Sequence, residues 1–143
     1  MLAAGGAATI DAAVFHLLMM LRRSLDARTC ILLWLERDGT WLKIKERVSD
    51  NDQVIDSGRV RASGAIGAIV RDREALSLRS TKPGQIAYLD GSESVGAFLG
   101  VPVLENGHLR GVLCADRPEA FEARDVEIAQ SACVHVLRAI QAE

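Results

Sequence analysis

Cysteine is scarce in this sequence, with three residues, Cys30, Cys114 and Cys133, each set inside an apolar segment. None stands in a Cys-x-x-Cys pair or another metal-ligand spacing, which excludes a disulfide framework and predicts reduced thiols in the core. Histidine is equally sparse: His16, His108 and His135 lack the His-x-x-x-His or His/carboxylate spacing of metal chemistry, so no metal and no cofactor is expected. Charge of one sign is missing too. Seventeen Lys and Arg face nineteen Asp and Glu, for a net charge of -2 with the signs interspersed. That distribution provides no concentrated positive field for a phosphate backbone or an anionic membrane, so nucleic acid and membrane are not expected partners. The apolar run Val14 to Leu21 contains His16 and ends at Arg22 and Arg23, well short of the roughly 20 residues a membrane span needs. Its basic residues follow the apolar stretch, the reverse of a secretory signal, and a cytoplasmic location is expected. Gly64-Ala65-Ile66-Gly67 lacks both the glycine spacing and the Lys-Ser/Thr ending of a phosphate loop.

What is present is the composition of one packed domain. The 143 residues are 49% hydrophobic and 25% charged, the values of an ordinary globular fold with a single core. Residues 1–9, small and glycine-rich without an apolar period, read as a flexible start, and residues 10–143 as the domain. Ile10, Ala13, Val14, Leu17, Leu18, Leu21 and Leu25 recur at three and four, the period of a helix over Ile10–Leu25. Phe15, Met19 and Met20 widen its apolar surface past one stripe. Cys30 to Leu35 and Trp41 to Lys45 read as two strands joined at Asp38-Gly39, and Ala97 to Leu104 and His108 to Asp116 as two more joined at Asn106-Gly107. Pro102 has no ladder donor and should lie near an edge or a bulge. Ser63 is placed to cap a short helix, Ala75 to Arg79 is strand-like, and Thr81 to Ser94 is an irregular stretch suited to a pocket wall or lid. A last helix over Ala123–Ala142 carries Val126, Ala129, Cys133, Val136, Leu137 and Ile140 on one face. Strands grouped as hairpins between terminal helices give an α+β fold, an antiparallel sheet with both terminal helices on one face.

That order, with Ser63-Gly64-Ala65-Ile66-Gly67-Ala68-Ile69-Val70 at its centre and Gly100-Val101-Pro102-Val103, Gly107, Gly111-Val112-Leu113 and Phe121 with Asp125 in its last third, resembles a GAF domain, the small-ligand sensor module of signalling proteins. The resemblance covers roughly residues 10 to 140. It implies a central antiparallel sheet of GAF/PAS type with a ligand pocket beneath the irregular segment. It also implies a homodimer through the Ile10–Leu25 and Ala123–Ala142 helices, relaying occupancy to an output domain outside this chain. Glycine at 67 would let the short helix pass close to the sheet, and at 111 would let a backbone or ligand approach a strand.

Three chemistries of the family are weighed against these residues. Free methionine-R-sulfoxide reductases carry reactive cysteines in the pocket loops, whereas residues 50–63 and 80–95 here hold none. Cys114 alternates onto the same strand face as Val112 and Asp116, but a reactive thiol needs a thiolate-stabilising partner, and a buried structural role is expected. The same missing loop cysteine argues against a bilin attachment. The cyclic-nucleotide pattern is matched only by Phe121 and Asp125, with Val126 in place of its glutamate and no Asn-Lys pair; those two residues are read as the anchor and cap of the last helix. No catalytic residue is therefore assigned. The expected ligand-binding residues are Leu78, Arg79, Tyr88, Phe98, Cys114 and Asp116, with Asp116 and Arg79 orienting a small polar or aromatic molecule.

Overall fold

The structure, a computed structural model, describes residues 2–90 and 96–141, with the backbone alone for 2–10. Nine elements follow one another: α1 (Leu2–Leu25), β1 (Thr29–Leu35), β2 (Trp41–Ser49), β3 (Arg59–Arg61), α2 (Gly64–Asp72), β4 (Leu76–Leu78), β5 (Ala97–Glu105), β6 (His108–Arg117) and α3 (Ala123–Gln141). The strands form one six-stranded sheet in the order β3-β2-β1-β6-β5-β4, antiparallel at every step, so the expected α+β class is the one found. The backbone of α1 continues N-terminally past Ile10 to Leu2, through an alanine-rich stretch of high helix propensity.

Both hairpins turn where the sequence places them. Asn106 and Gly107 have φ of 52° and 80°, the two left-handed residues of a type I′ turn, and Gly39 has φ of 73° in the β1–β2 link. Pro102 pairs with Val112 just before the bulge at Val103/Leu104, and β4 has already ended opposite Gly100. Its missing donor thus falls where one neighbouring strand is absent, as expected. The strand β3 is an addition. Its three residues carry one apolar side chain, the buried Val60, which is too little for a periodicity to register.

Period-two alternation splits the sheet into two packed faces. Cys30, Leu32, Leu99, Val101, Leu113 and Ala115 face α1 and α3, where Val14, Leu18, Leu21, Leu25, Ala129, Cys133 and Val136 complete one core. Ile31, Leu33, Phe98, Val112 and Cys114 face the other way, toward α2 and the segment 79–90. A single arginine fastens the helix layer at one corner. The Arg117 guanidinium lies 4.2 Å from the Phe121 ring centre, pairs with Asp125 at 3.0 Å, donates to the Ala120 carbonyl at 2.7 Å and also donates to the Leu25 carbonyl at the end of α1. Phe121 and Asp125 anchor the start of α3, as read from the sequence, and Asp125 also accepts from the Glu122 N–H at 2.8 Å.

Glycine has a different place here from the one expected. A Cβ on Gly67 would meet the Ala62 carbonyl at 2.8 Å, a contact with the chain leading into α2 and not with the sheet. The close approach of α2 to the sheet is at Gly100, where a Cβ would lie 2.4 Å from the tip of Ile69. Ser63 occupies the N-cap of α2, but its side chain makes no capping bond; the Ala65 N–H instead donates to the Gln85 carbonyl at 3.1 Å. Gly64, at φ 58°, allows that contact, since a Cβ there would stand 2.3 Å from the same carbonyl oxygen.

Candidate functional site

The segment 79–90 lies over the α2 face of the sheet and is fixed by backbone bonds at several points. Val54 and Leu89 form an antiparallel bridge, the Ile55 N–H donates to the Tyr88 carbonyl at 2.9 Å, and the Asp90 N–H donates to the Gln53 carbonyl at 2.7 Å. These bonds direct Tyr88 inward. Its ring is fully buried, 6.4 Å from that of Phe98, and its hydroxyl donates to Asp116 Oδ2 at 2.7 Å. Residues 91–95 of the expected lid lie outside the described residues.

Asp116 lies near the end of β6 and is paired with Phe98 near the start of β5 and with Thr29 at the start of β1. It is completely buried. Burial pushes its carboxyl pKa up, opposed by the Tyr88 hydroxyl, by Thr29, by the Arg28 charge and by Asn51. Thr29 and Asn51 lie beside the carboxylate without completing a hydrogen bond to Oδ1, which has no partner among the described residues, and the Asn51 Nδ2 is likewise without one among them. Thr29 Oγ1 is instead 2.7 Å from Ser49 Oγ, and Asn51 Oδ1 accepts from the Gln53 N–H at 3.0 Å. Among the described residues, this buried carboxylate on the lid side of the sheet thus has one oxygen held by a tyrosine and the other without a partner.

The sign of the resulting pH dependence is fixed. Because the folded carboxyl binds its proton more tightly than the unfolded one, whose pKa is about 3.9, its contribution to stability is greatest below that value. It then declines as pH rises through the folded pKa. Asp116→Asn removes the decline, so the stability of the variant relative to wild type should increase as pH is raised from about 3 to 7. Urea unfolding at a series of pH values measures this, and a difference that does not change with pH would sink it.

Of the six expected ligand residues, the structure brings four together and keeps a fifth adjacent. Tyr88, Phe98, Cys114 and Asp116 are buried on the lid side, and Leu78, half-buried, pairs with Phe98 across β4–β5. Arg79 is exposed just past the end of β4, apart from the buried Asp116. It faces water because β4 is only three residues long and the chain leaves the sheet there. Thr29 and Asn51 are the polar neighbours that the sequence did not single out. The only signal for them was position: Thr29 opens a strand, and Asn51 sits in a polar turn.

All three thiols are free and buried. Desolvation raises Cys30 and Cys133 to about 12 and Cys114 well above its ordinary value, with the Asp116 charge raising Cys30 and Cys114 further. A thiolate at neutral pH is therefore strongly disfavoured at each position. The native protein should leave an aromatic disulfide reagent unreacted over an hour and release three equivalents of thiol after denaturation; one fast-reacting thiol in the native state would contradict the burial. Among the described residues no group of three or more His, Cys, Asp or Glu could hold a metal ion.

An antiparallel sheet with paired terminal helices on one face, and a short helix and an irregular strap over a buried polar point on the other, defines an α+β sandwich with a covered second face. The chain belongs to the GAF domain family, whose model matches residues 9–140. No curated protein matches it. Among solved structures, the GAF domain from a phosphoenolpyruvate-protein phosphotransferase of Coxiella burnetii is similar at 22% identity, with a TM-score of 0.77 over 94% of this chain and 83% of that one. The GAF domain region of a protein from Geobacter sulfurreducens has a TM-score of 0.78 over the whole of both chains at 12% identity. A type II free methionine-R-sulfoxide reductase from Thermoplasma acidophilum has a TM-score of 0.69 at 18% identity, over 89% of this chain and 92% of that one.

Proposed function

We propose that this chain is a sensory or regulatory domain of signal transduction that binds a small polar molecule between the sheet and the segment 79–90. The observation that carries the reading is the buried Asp116 carboxylate, held by Tyr88 at Oδ2 and without a partner at Oδ1 among the described residues. An ionisable group retained in a desolvated site is a candidate binding determinant. A ligand with a hydrogen-bond donor would satisfy Oδ1, and Tyr88 would move off Oδ2 to admit it. Thermal shifts against a metabolite panel test this with wild type, Asp116→Ala and Arg79→Ala. A hit is expected to lose its shift in Asp116→Ala and to keep it in Arg79→Ala, whose side chain lies outside the buried group. Equal shifts in wild type and Asp116→Ala would remove the carboxylate from the site.

The similarity to a sulfoxide reductase does not carry its chemistry in this reading, since every thiol is buried and desolvation disfavours its thiolate. A second reading, a dimerisation module without ligand, is favoured by the packing of the lid side, where Tyr88, Phe98, Ile86 and Leu89 fill the space over the sheet. A panel without any hit supports it.

In either reading the domain pairs through α1 and α3 in the cytoplasm and passes its state to an output domain. Phe15 and Met20 on α1 and Val134 on α3 are exposed at 38%, 65% and 48%, an apolar surface of the kind a second copy covers. The expected result is a dimer by sedimentation at tens of micromolar protein; a monomer there would count against the relay.

A further inference from the structure

A second polar feature lies at the other end of the sheet from Thr29 and Asp116. Residues directly opposite in antiparallel strands share a face. Across β3, β2 and β1 the register aligns Arg59, Lys43 and Trp34, and two residues further along, on the same face, it aligns Arg61 with Trp41. Both tryptophans of the chain thus meet a set of cations. The Arg59 guanidinium lies 4.6 Å from the Trp41 ring centre and that of Arg61 5.5 Å, while Arg110 lies 5.7 Å from the Trp34 ring centre. The tryptophans are half-buried, whereas Lys43, Arg59, Arg61 and Arg110 are all exposed. Two carboxylates reply: Glu36 pairs with Arg59 at 2.7 Å and Glu105 with Arg110 at 3.4 Å. Lys43 and Arg61 have no ion-pair partner among the described residues, and a cleft of about 370 Å³ opens beside Lys43, lined by Glu36, Lys43, Ser57, Gly58 and Arg59.

We propose that this corner of the sheet is a docking surface for an acidic segment of a partner protein, with Arg61 and Lys43 binding its carboxylates. Charge complementarity selects the occupant: four cations against two carboxylates give a locally positive surface on a chain of net charge -2. Guanidinium groups braced on an indole lose less freedom on capturing a carboxylate, and their fork matches its two oxygens. Nucleic acid fits less well. The Trp41 ring is occupied by arginines and offers no free platform for a base, and Glu36 and Glu105 interrupt the path of a continuous phosphate chain.

The test uses a fluorescein-labelled hexaglutamate peptide, a glycine-serine peptide of equal length and a labelled oligothymidylate, read by fluorescence anisotropy at low and at physiological salt. Wild type is expected to bind hexaglutamate saturably and the neutral peptide not at all. Binding should weaken about tenfold or more in Lys43→Glu/Arg61→Glu and fall with salt. Glu36→Gln, which releases Arg59, is expected to tighten binding about two- to threefold. All three substituted side chains lie at the surface, and unchanged thermal melts would confirm that the variants are folded. If a variant does not fold, Arg61→Ala alone replaces it. No binding of hexaglutamate by wild type, equal binding by the charge-reversed variant, or tighter binding of the oligothymidylate would each overturn the proposal.

Discussion

Gly111→Ala is expected to lower the unfolding free energy by about 3 kcal/mol or more, a large share of the roughly 5–15 kcal/mol of a typical domain. Gly111 is opposite Trp34 in the register between β6 and β1, the two central strands. A Cβ there would stand 2.1 Å from the Leu33 carbonyl oxygen and 3.0 Å from the Trp34 ring. The first contact is with main chain in the middle of the sheet, where no side-chain rotation relieves it. Gly58→Ala is the control, since none of the described residues lies within 4 Å of its Cβ and its backbone is not in the left-handed region. That change should shift stability by no more than about 0.5 kcal/mol. Urea denaturation of the two variants measures the contrast, and similar midpoints for both would refute the argument.

Phe98→Ala is expected to cost about 3–5 kcal/mol, the usual range for removing a buried aromatic ring from a core. Phe98 has no exposed surface, and its ring stands between the sheet and Tyr88. The loss should not be confined to global stability. With the ring gone, Tyr88 has less to pack against, and the segment 79–90 depends more heavily on its backbone bonds to residues 53–55 and on the Tyr88–Asp116 bond. Limited proteolysis of the folded variant should therefore cut within 79–90 sooner than in wild type. A destabilised variant in which cleavage begins elsewhere would show that Phe98 supports the sheet and not the strap.

Much of this fold is legible in the chain because local chemistry and tertiary structure agree. Asp38-Gly39 and Asn106-Gly107 mark turns whose left-handed backbone other residues resist, so both hairpins follow from composition. Alternation along 112–116 places Cys114 and Asp116 on one face, and the three- and four-residue period finds both terminal helices. The rest depends on contacts between residues far apart in sequence. Tyr88 reaches Asp116 from 28 positions away, in a segment with no period to reveal which side chain points inward. Arg79 stands next to a strand in the sequence, as a pocket cation would, but the three-residue strand ends before it can be carried inward. Gly67 is the glycine that α2 itself offers for a close approach to the sheet, whereas the approach is made at Gly100, which only the packing of Ile69 reveals. Thr29 and Asn51 gain their meaning from the carboxylate they approach, which no pattern of single residues conveys.

The arginine that joins the close of α1 to the opening of α3 sets how these helices can shift. Leu25 and Asp125 are tied to one side chain, so the two rods share a pivot at that corner, and the chain runs away from it along both. A rotation of one helix against the other about that corner would displace residues in proportion to their distance from it, most of all at the start of α1 and the end of α3.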